Sequence, residues 1–230
     1  MLNIYIPKSY LLKKHIDFFY TFSEERPQDI SYICFPHTNT SITFLENAKI
    51  IRSNHSSYFR PLDIKTTELN TYSIDIVGKF IEPLFVQYQG NVKEINIVFK
   101  PLGVNHFLKG NLSNIAPHFS QEFINQEWQA FMPFLFEEKS EVLQISLLEN
   151  FLLTNMQVHD LTSMYKAIEY LEDVNNELNI AEIASLLKMN LKTFQRHFYK
   201  HLACTPSDYR RIVKFRQSLN SGFLQKTLKN

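Results

Sequence analysis

The chain has 230 residues, 44% hydrophobic and 20% charged, with a formal net charge of +1. That length fits one or two domains, and the composition excludes global disorder. Two cysteines, Cys34 and Cys204, with no CxxC pair, exclude a disulfide framework and a cysteine zinc cluster.

The first residues, M-L-N-I-Y-I-P-K, lack the basic segment and apolar run of a signal peptide. No apolar run approaches the length that spans a bilayer; the densest, Phe131 to Phe136, is interrupted by Pro133. The expectation is a soluble, cytoplasmic protein with no membrane partner. The small net charge hides an asymmetry. Residues 1–160 carry 13 Lys/Arg against 17 Asp/Glu, and residues 161–230 carry 11 against 6. A basic C-terminal third points to a polyanionic partner.

Strands are expected from Ile30 onward. Ile30-Ser-Tyr-Ile-Cys-Phe35 and Thr40-Ser-Ile-Thr-Phe-Leu45 are short and rich in β-branched and aromatic residues. Ser73 to Val77 alternates, Ile81 to Tyr88 is weakened by Pro83, and Val92 to Phe99 is the clearest strand. This spacing suggests a small antiparallel barrel or sandwich. A short helix is expected over Leu102–Leu108. A second is expected within Gln121–Phe136 around Trp128, and a third over Glu141–Thr154, where Val142, Ile145, Leu148 and Leu152 recur at helical spacing. The fold class is therefore α+β: a β-rich N-terminal domain with following helices over 1–156, then an all-α part over 160–230. Gln157–Asp160, the boundary, is too short for a floppy linker.

The last third is read as helices only. Met164, Ala167, Ile168, Leu171 and Val174 form one stripe. Asn179 with Glu182 gives a capping box for a helix near 180–187, whose inner face is Ile180, Ile183, Ala184 and Leu187. Lys188-Met189-Asn190 breaks the run, and Asn190 caps a helix near 191–201 with Phe194 and Phe198 inward. Thr205 then caps a helix with Pro206 at its first position and Asp208 in its first turn.

Burying Phe194 and Phe198 turns Lys192, Thr193, Gln195, Arg196, Tyr199 and Lys200 outward or sideways. A major groove admits one helix. Arg196 suits the acceptor pair of guanine, and Gln195 suits the mixed edge of adenine. Each bidentate contact is worth ~1–3 kcal/mol of discrimination. Lys192 lies nearest the helix N-terminus, the end that enters the groove in a helix-turn-helix. Lys200, Arg210 and Arg211 suit phosphates, which fix register without reading sequence. The partner so implied is double-stranded DNA, with Asn190, Lys192, Thr193, Gln195, Arg196, Tyr199, Lys200, Arg210 and Arg211 as the expected contact residues.

The segment resembles the DNA-binding domain of AraC-type (AraC/XylS) transcriptional regulators. Ile183, Ala184, Met189, Asn190, Phe194, Arg196, Phe198, Thr205, Pro206 and Tyr209 match that family's pattern. Arg211 to Arg216 is similar to a stretch in one branch, which joins an uncharacterised sensor-like N-terminal domain to the DNA-binding part. Ile95 to Gly103 looks like that domain's strand followed by Pro-Leu-Gly. The resemblance implies Lys192, Gln195 and Arg196 as base-contacting residues, no catalysis, and an effector-binding or dimerising N-terminal domain.

Three departures stand out. Lys188 and Ala203 occupy positions where the family often has glycine, so each is expected to bear a strained backbone or a different local geometry. The family also has a second helix-turn-helix, and the eleven residues after Leu219 are too few for one. The second reading is thus a regulator-derived protein acting through its N-terminal domain without binding DNA alone.

Other chemistries find little support. His197 and His201 are four apart but stand outside any metal motif, Cys34 and His37 lack a supporting constellation, and no phosphate or dinucleotide loop occurs. No cofactor is expected. The aromatic-rich N-terminal region either lines a site for a small apolar or aromatic effector or forms a filled core that supports a homodimer.

Overall fold

A computed structural model describes residues 1–24, 30–52, 60–173 and 175–227. In chain order the first half is β1 (Leu2–Tyr5), α1 (Tyr10–Lys13), β2 (Ile16–Glu24), β3 (Ile30–Cys34), β4 (Thr40–Glu46), β5 (Ala48–Arg52), β6 (Arg60–Thr66), β7 (Tyr72–Val77), β8 (Leu84–Gln89) and β9 (Val92–Phe99). A short 3-10 turn (Gly103–His106), α2 (Leu112–Ile115) and β10 (Ser120–Glu122) follow. The remainder is α3 (Gln126–Glu137), α4 (Glu141–Asn155), α5 (Thr162–Glu172), α6 (Ile180–Leu186), α7 (Leu191–Leu202) and α8 (Pro206–Thr227). The class is α+β, as the sequence predicts.

The strands form two sheets, a six-stranded one ordered β1-β2-β9-β4-β7-β10 and a four-stranded one ordered β3-β8-β6-β5. They face each other as a sandwich. Alternation along the larger sheet sends Phe19, Ile42, Phe44, Ile95, Ile97 and Phe99 to one face. There they pack with Trp128, Met132, Leu135 and Phe136 of α3 and with Ile145, Leu148 and Leu152 of α4. The opposite face carries Phe18, Tyr20, Thr43, Glu94 and Asn96 and looks toward the smaller sheet.

Several expectations are corrected. β8 starts at Leu84, because Pro83 cannot donate into the ladder. The pair β6–β8 is parallel, so the sandwich is not antiparallel throughout. Leu102–Leu108 holds only a 3-10 turn, and Ser120–Glu122 is an edge strand on β7 rather than the start of a helix. Val142 is exposed despite its spacing. Val174 lies outside the described residues, while Met164, Ala167, Ile168 and Leu171 are buried as expected.

The C-terminal helices build their own core from Leu161, Met164, Leu171, Ile183, Ala184, Phe194, Phe198, Leu202 and Tyr209. That core is not closed by these helices alone. Leu102, from the segment after β9, is fully buried within it at φ 66°. The adjacent Gly103 is required by close approach: a Cβ there would lie 2.0 Å from the His15 carbonyl oxygen. The connector is docked, since Gln157 and His106 exchange contacts through the Gln157 N–H (2.7 Å) and the His106 Nδ1 (3.0 Å).

Candidate functional site

The α6–turn–α7 unit is assembled by local chemistry. Asn179 Oδ1 accepts from the N–H groups of Ala181 (2.9 Å) and Glu182 (3.0 Å), and Glu182 Oε2 accepts from Asn179 N–H (2.7 Å). This reciprocal box satisfies donors that a helix start leaves unpaired. α6 ends in a Schellman motif: Met189 N–H donates to Ala184 O and Lys188 N–H to Ser185 O, both at 2.9 Å. Lys188 sits at the left-handed position, φ 57°. Asn190 Oδ1 then accepts from Thr193 N–H at 2.9 Å and starts α7.

α7 has three faces. Phe194, Phe198 and Leu202 are fully buried against α5, α6 and α8. His197 and His201 are half-buried, and the His201 carbonyl accepts from Asn105 Nδ2 at 2.9 Å while its ring meets Asn105 Oδ1 at 3.2 Å. These bonds hold the end of α7 against the N-terminal part, where α2 also packs on it. The third face is exposed and carries Lys192, Gln195, Arg196, Tyr199 and Lys200. α7 ends at Ala203, also left-handed at φ 52°, whose N–H donates to Tyr199 O at 2.8 Å.

The predicted DNA-contacting residues thus divide. Lys192, Gln195 and Arg196 share the exposed face of the first two turns of α7. Thr193 is half-buried, and Asn190 is exposed with its carbonyl oxygen engaged in capping. Tyr199 borders a cleft of about 650 Å³ whose walls include Lys79, Phe80, Cys204 and Asp208. Lys200 is exposed. Arg211 is paired with Asp208 at 3.3 Å, and Arg210 is half-buried, with its Nη2 buried and without a hydrogen-bond partner among the described residues. In the same cleft, burial lowers the Lys79 ammonium to about 8 and raises the Cys204 thiol to about 11. Lys79 Nζ donates to Thr40 Oγ1 at 2.8 Å.

α8 links this unit to the sandwich. Thr205 Oγ1 accepts from Asp208 N–H at 3.1 Å, capping the helix as expected, and Tyr209 OH donates to Glu172 Oε1 at 2.6 Å. Two turns further on, the Phe215 ring meets Phe35 with centroids 6.0 Å apart. Arg216 reaches the rim of a half-open cavity of about 870 Å³ between the two sheets.

Sequence reasoning missed the polar floor of that cavity. Glu94 is 2% exposed and accepts three hydrogen bonds: from Tyr20 OH (2.6 Å) and Asn96 Nδ2 (3.2 Å) at Oε1, and from Tyr88 OH (2.6 Å) at Oε2. Burial pushes its carboxyl pKa up, and the three donors pull against that shift. Glu94 and Asn96 alternate along β9 like the solvated side of a strand. The only signal of their burial was the density of aromatic residues around them.

Among the described residues, no group of three or more His, Cys, Asp or Glu side chains is arranged to hold a metal ion. No described helix is long and apolar enough to cross a membrane.

Residues 5–120 match the model of a family described as a domain of unknown function, DUF6597. No curated protein matches the chain. Two solved structures of ToxT from Vibrio cholerae align with it. One is 13% identical, covers 88% of this chain and 82% of its own, and has a TM-score of 0.41. The other, an apo variant, is 11% identical, covers 96% and 81%, and has a TM-score of 0.40. Likeness at this level carries no argument about function.

Proposed function

The chain belongs to the DUF6597 family, and we propose that it is a sequence-specific DNA-binding regulator of transcription. Residues 160–230 serve as the reading part and residues 1–156 as the controlling part. One observation carries this reading. A capped helix, a Schellman turn and a second capped helix present Lys192, Gln195 and Arg196 together, exposed, on the first two turns of α7. That is the end of a recognition helix that enters the major groove. The AraC-type pattern of the same segment supports the reading.

Arg196 reads guanine, Gln195 reads adenine, and Lys192 enters beside them. Lys200 holds phosphate. Arg211 does so after leaving Asp208, a surface pair of small net value. The cavity of the sandwich binds a small effector, and α8 conveys its occupancy, since Phe215 and Arg216 touch the rim that the effector would reorder. A homodimer doubles the phosphate contacts that one chain makes. The exposed Leu2 and Ile4 of the edge strand β1, with Ile6 just beyond it, supply an apolar surface for it. The protein acts in the cytoplasm and needs no cofactor.

Hydroxyl-radical footprinting on DNA from upstream of its own coding region tests the assignment. Protection of a short site, present with the wild-type chain and lost with Arg196→Ala, is expected. Uniform or absent protection would favour the second reading, action through the N-terminal part alone. The bonds from Asn105 that hold α7 to that part are the observation that keeps this second reading alive.

A further inference from the structure

The cavity between the two sheets has an unusual floor for a site lined mainly by apolar side chains. The smaller sheet contributes Ile50, Leu62, Ile64 and Val86. The larger sheet contributes a buried carboxylate, Glu94, and a buried amide, Asn96, each 2% exposed. Among the described residues no cationic side chain meets Glu94; its partners there are two phenols and an amide. Arg216, the one arginine or lysine lining the cavity among the described residues, stands on α8, beside the β3–β4 segment that carries Phe35.

A carboxylate has about four acceptor positions. Tyr20 and Asn96 fill those of Oε1, and Tyr88 fills one on Oε2, so one remains. Asn96 Oδ1 is buried and has no hydrogen-bond partner among the described residues, although Asn96 Nδ2 donates to Thr43 Oγ1 at 2.6 Å and to Glu94. The floor therefore offers two acceptors in want of donors, one of them a carboxylate oxygen. Aromatic rings flank it. Phe22 and Tyr32 lie 4.7 Å and 6.1 Å from the Tyr88 ring, centroid to centroid. A buried anion without a counter-charge is costly, and ring faces attract cations. A primary ammonium supplies several N–H donors and a positive charge in one compact group.

We propose that this cavity binds a primary amine: an apolar, preferably aromatic, body against the smaller sheet, with its ammonium seated on Glu94 and Asn96 between Tyr20, Tyr32 and Tyr88. This deepens the effector role proposed above and rests on it for its biological meaning. Carboxylate ligands are disfavoured, because they would bring a second negative charge to Glu94 and two acceptors to a floor already short of donors.

Three probes with one body decide the matter: naphthylethylamine, naphthylethanol and naphthylacetate, titrated into the full-length chain at neutral pH and followed by naphthalene fluorescence and calorimetry. The amine is expected to bind one per chain, about tenfold or more tighter than the alcohol, with the acid weakest. Glu94→Gln is expected to erase the preference for amine over alcohol. Leu62→Trp, which fills the cavity from the opposite wall, is expected to abolish binding of all three. Equal or tighter binding of the alcohol or the acid to the wild-type chain would overturn the proposal. So would failure of all three to bind, or an amine affinity unchanged by Glu94→Gln. If Glu94→Gln does not fold, the ranking on the wild-type chain still decides. DNA is absent from these titrations, so their failure leaves the DNA-reading assignment standing.

Discussion

Replacing Lys188 with glycine is expected to stabilise the protein, although it removes a side chain from the turn between α6 and α7. Lys188 holds the left-handed position of the Schellman motif at φ 57°, where its N–H donates to Ser185 O and Met189 N–H donates to Ala184 O. An L-residue in that conformation costs ~1–2 kcal/mol. Glycine adopts it freely but gives up ~0.5–1 kcal/mol through the greater freedom of its unfolded chain. The Lys188 side chain is exposed, so little packing is lost. The net gain is about 0–1.5 kcal/mol, or at most roughly 6 °C in the melting temperature for a chain of this size. Ala203 provides the control. It is left-handed too, at φ 52°, but its methyl group packs against the core of the N-terminal part. Losing that methyl costs up to ~0.8 kcal/mol, so Ala203→Gly should come out near zero. Urea unfolding followed by far-ultraviolet circular dichroism measures both. A Lys188→Gly variant less stable than wild type, by the ~0.5–1 kcal/mol that glycine costs within a helix, would refute the reasoning.

Gly103→Ala should destabilise the fold by several kcal/mol, because the new methyl would fall on the His15 carbonyl, a backbone group that cannot swing away; a thermal melt unchanged within a degree would contradict this. Acid should weaken the protein before the carboxylates titrate. Burial is the main cause that lowers His15, His37 and His201 to about 4, and it lowers His106 too. Unfolded imidazoles protonate near 6.5, so between about 6.5 and 4 the unfolded chain binds more protons and stability falls as pH falls. Urea midpoints measured across that window should decline steadily, and a flat profile would contradict the buried, neutral state of these rings. The β1 edge should support self-association: Ile4→Lys is expected to shift a dimer toward monomer in sedimentation velocity, and an unchanged distribution would remove β1 from the interface.

Much of the C-terminal part was legible because short-range chemistry specifies it. The capping box at Asn179 and Glu182, the cap at Asn190 and the Thr205-Pro206-Ser207-Asp208 start each follow from side chains within three residues of the backbone they serve. The strain expected at Lys188 and Ala203 appears at both as a positive φ. β9 was legible through its alternation. β2 was not: Ile16–Glu24 is covered on one face by helices and on the other by the cavity, so aromatic residues fill both faces and the period-2 signal fades. β6 was hidden by Pro61, which sits near the strand's start. The cavity floor escaped for a different reason. Alternation at Glu94 and Asn96 distinguishes two faces of a strand but does not say that the polar one meets water. The docking of Leu102 into the helical core was also beyond reach, since a single apolar residue after a proline carries no record of which core receives it.

The central claim, that α7 reads DNA sequence through Arg196, is tested most directly by fluorescence anisotropy. The wild-type, Arg196→Ala and Lys200→Ala chains are each titrated with a footprinted duplex and a scrambled duplex at two salt concentrations. Arg196→Ala is expected to lose ~1–3 kcal/mol on the footprinted duplex and much less on the scrambled one. Lys200→Ala should weaken both alike and flatten the salt dependence by about one charge. A wild-type chain that binds the two duplexes equally, or an Arg196→Ala variant that keeps full discrimination between them, would contradict the account.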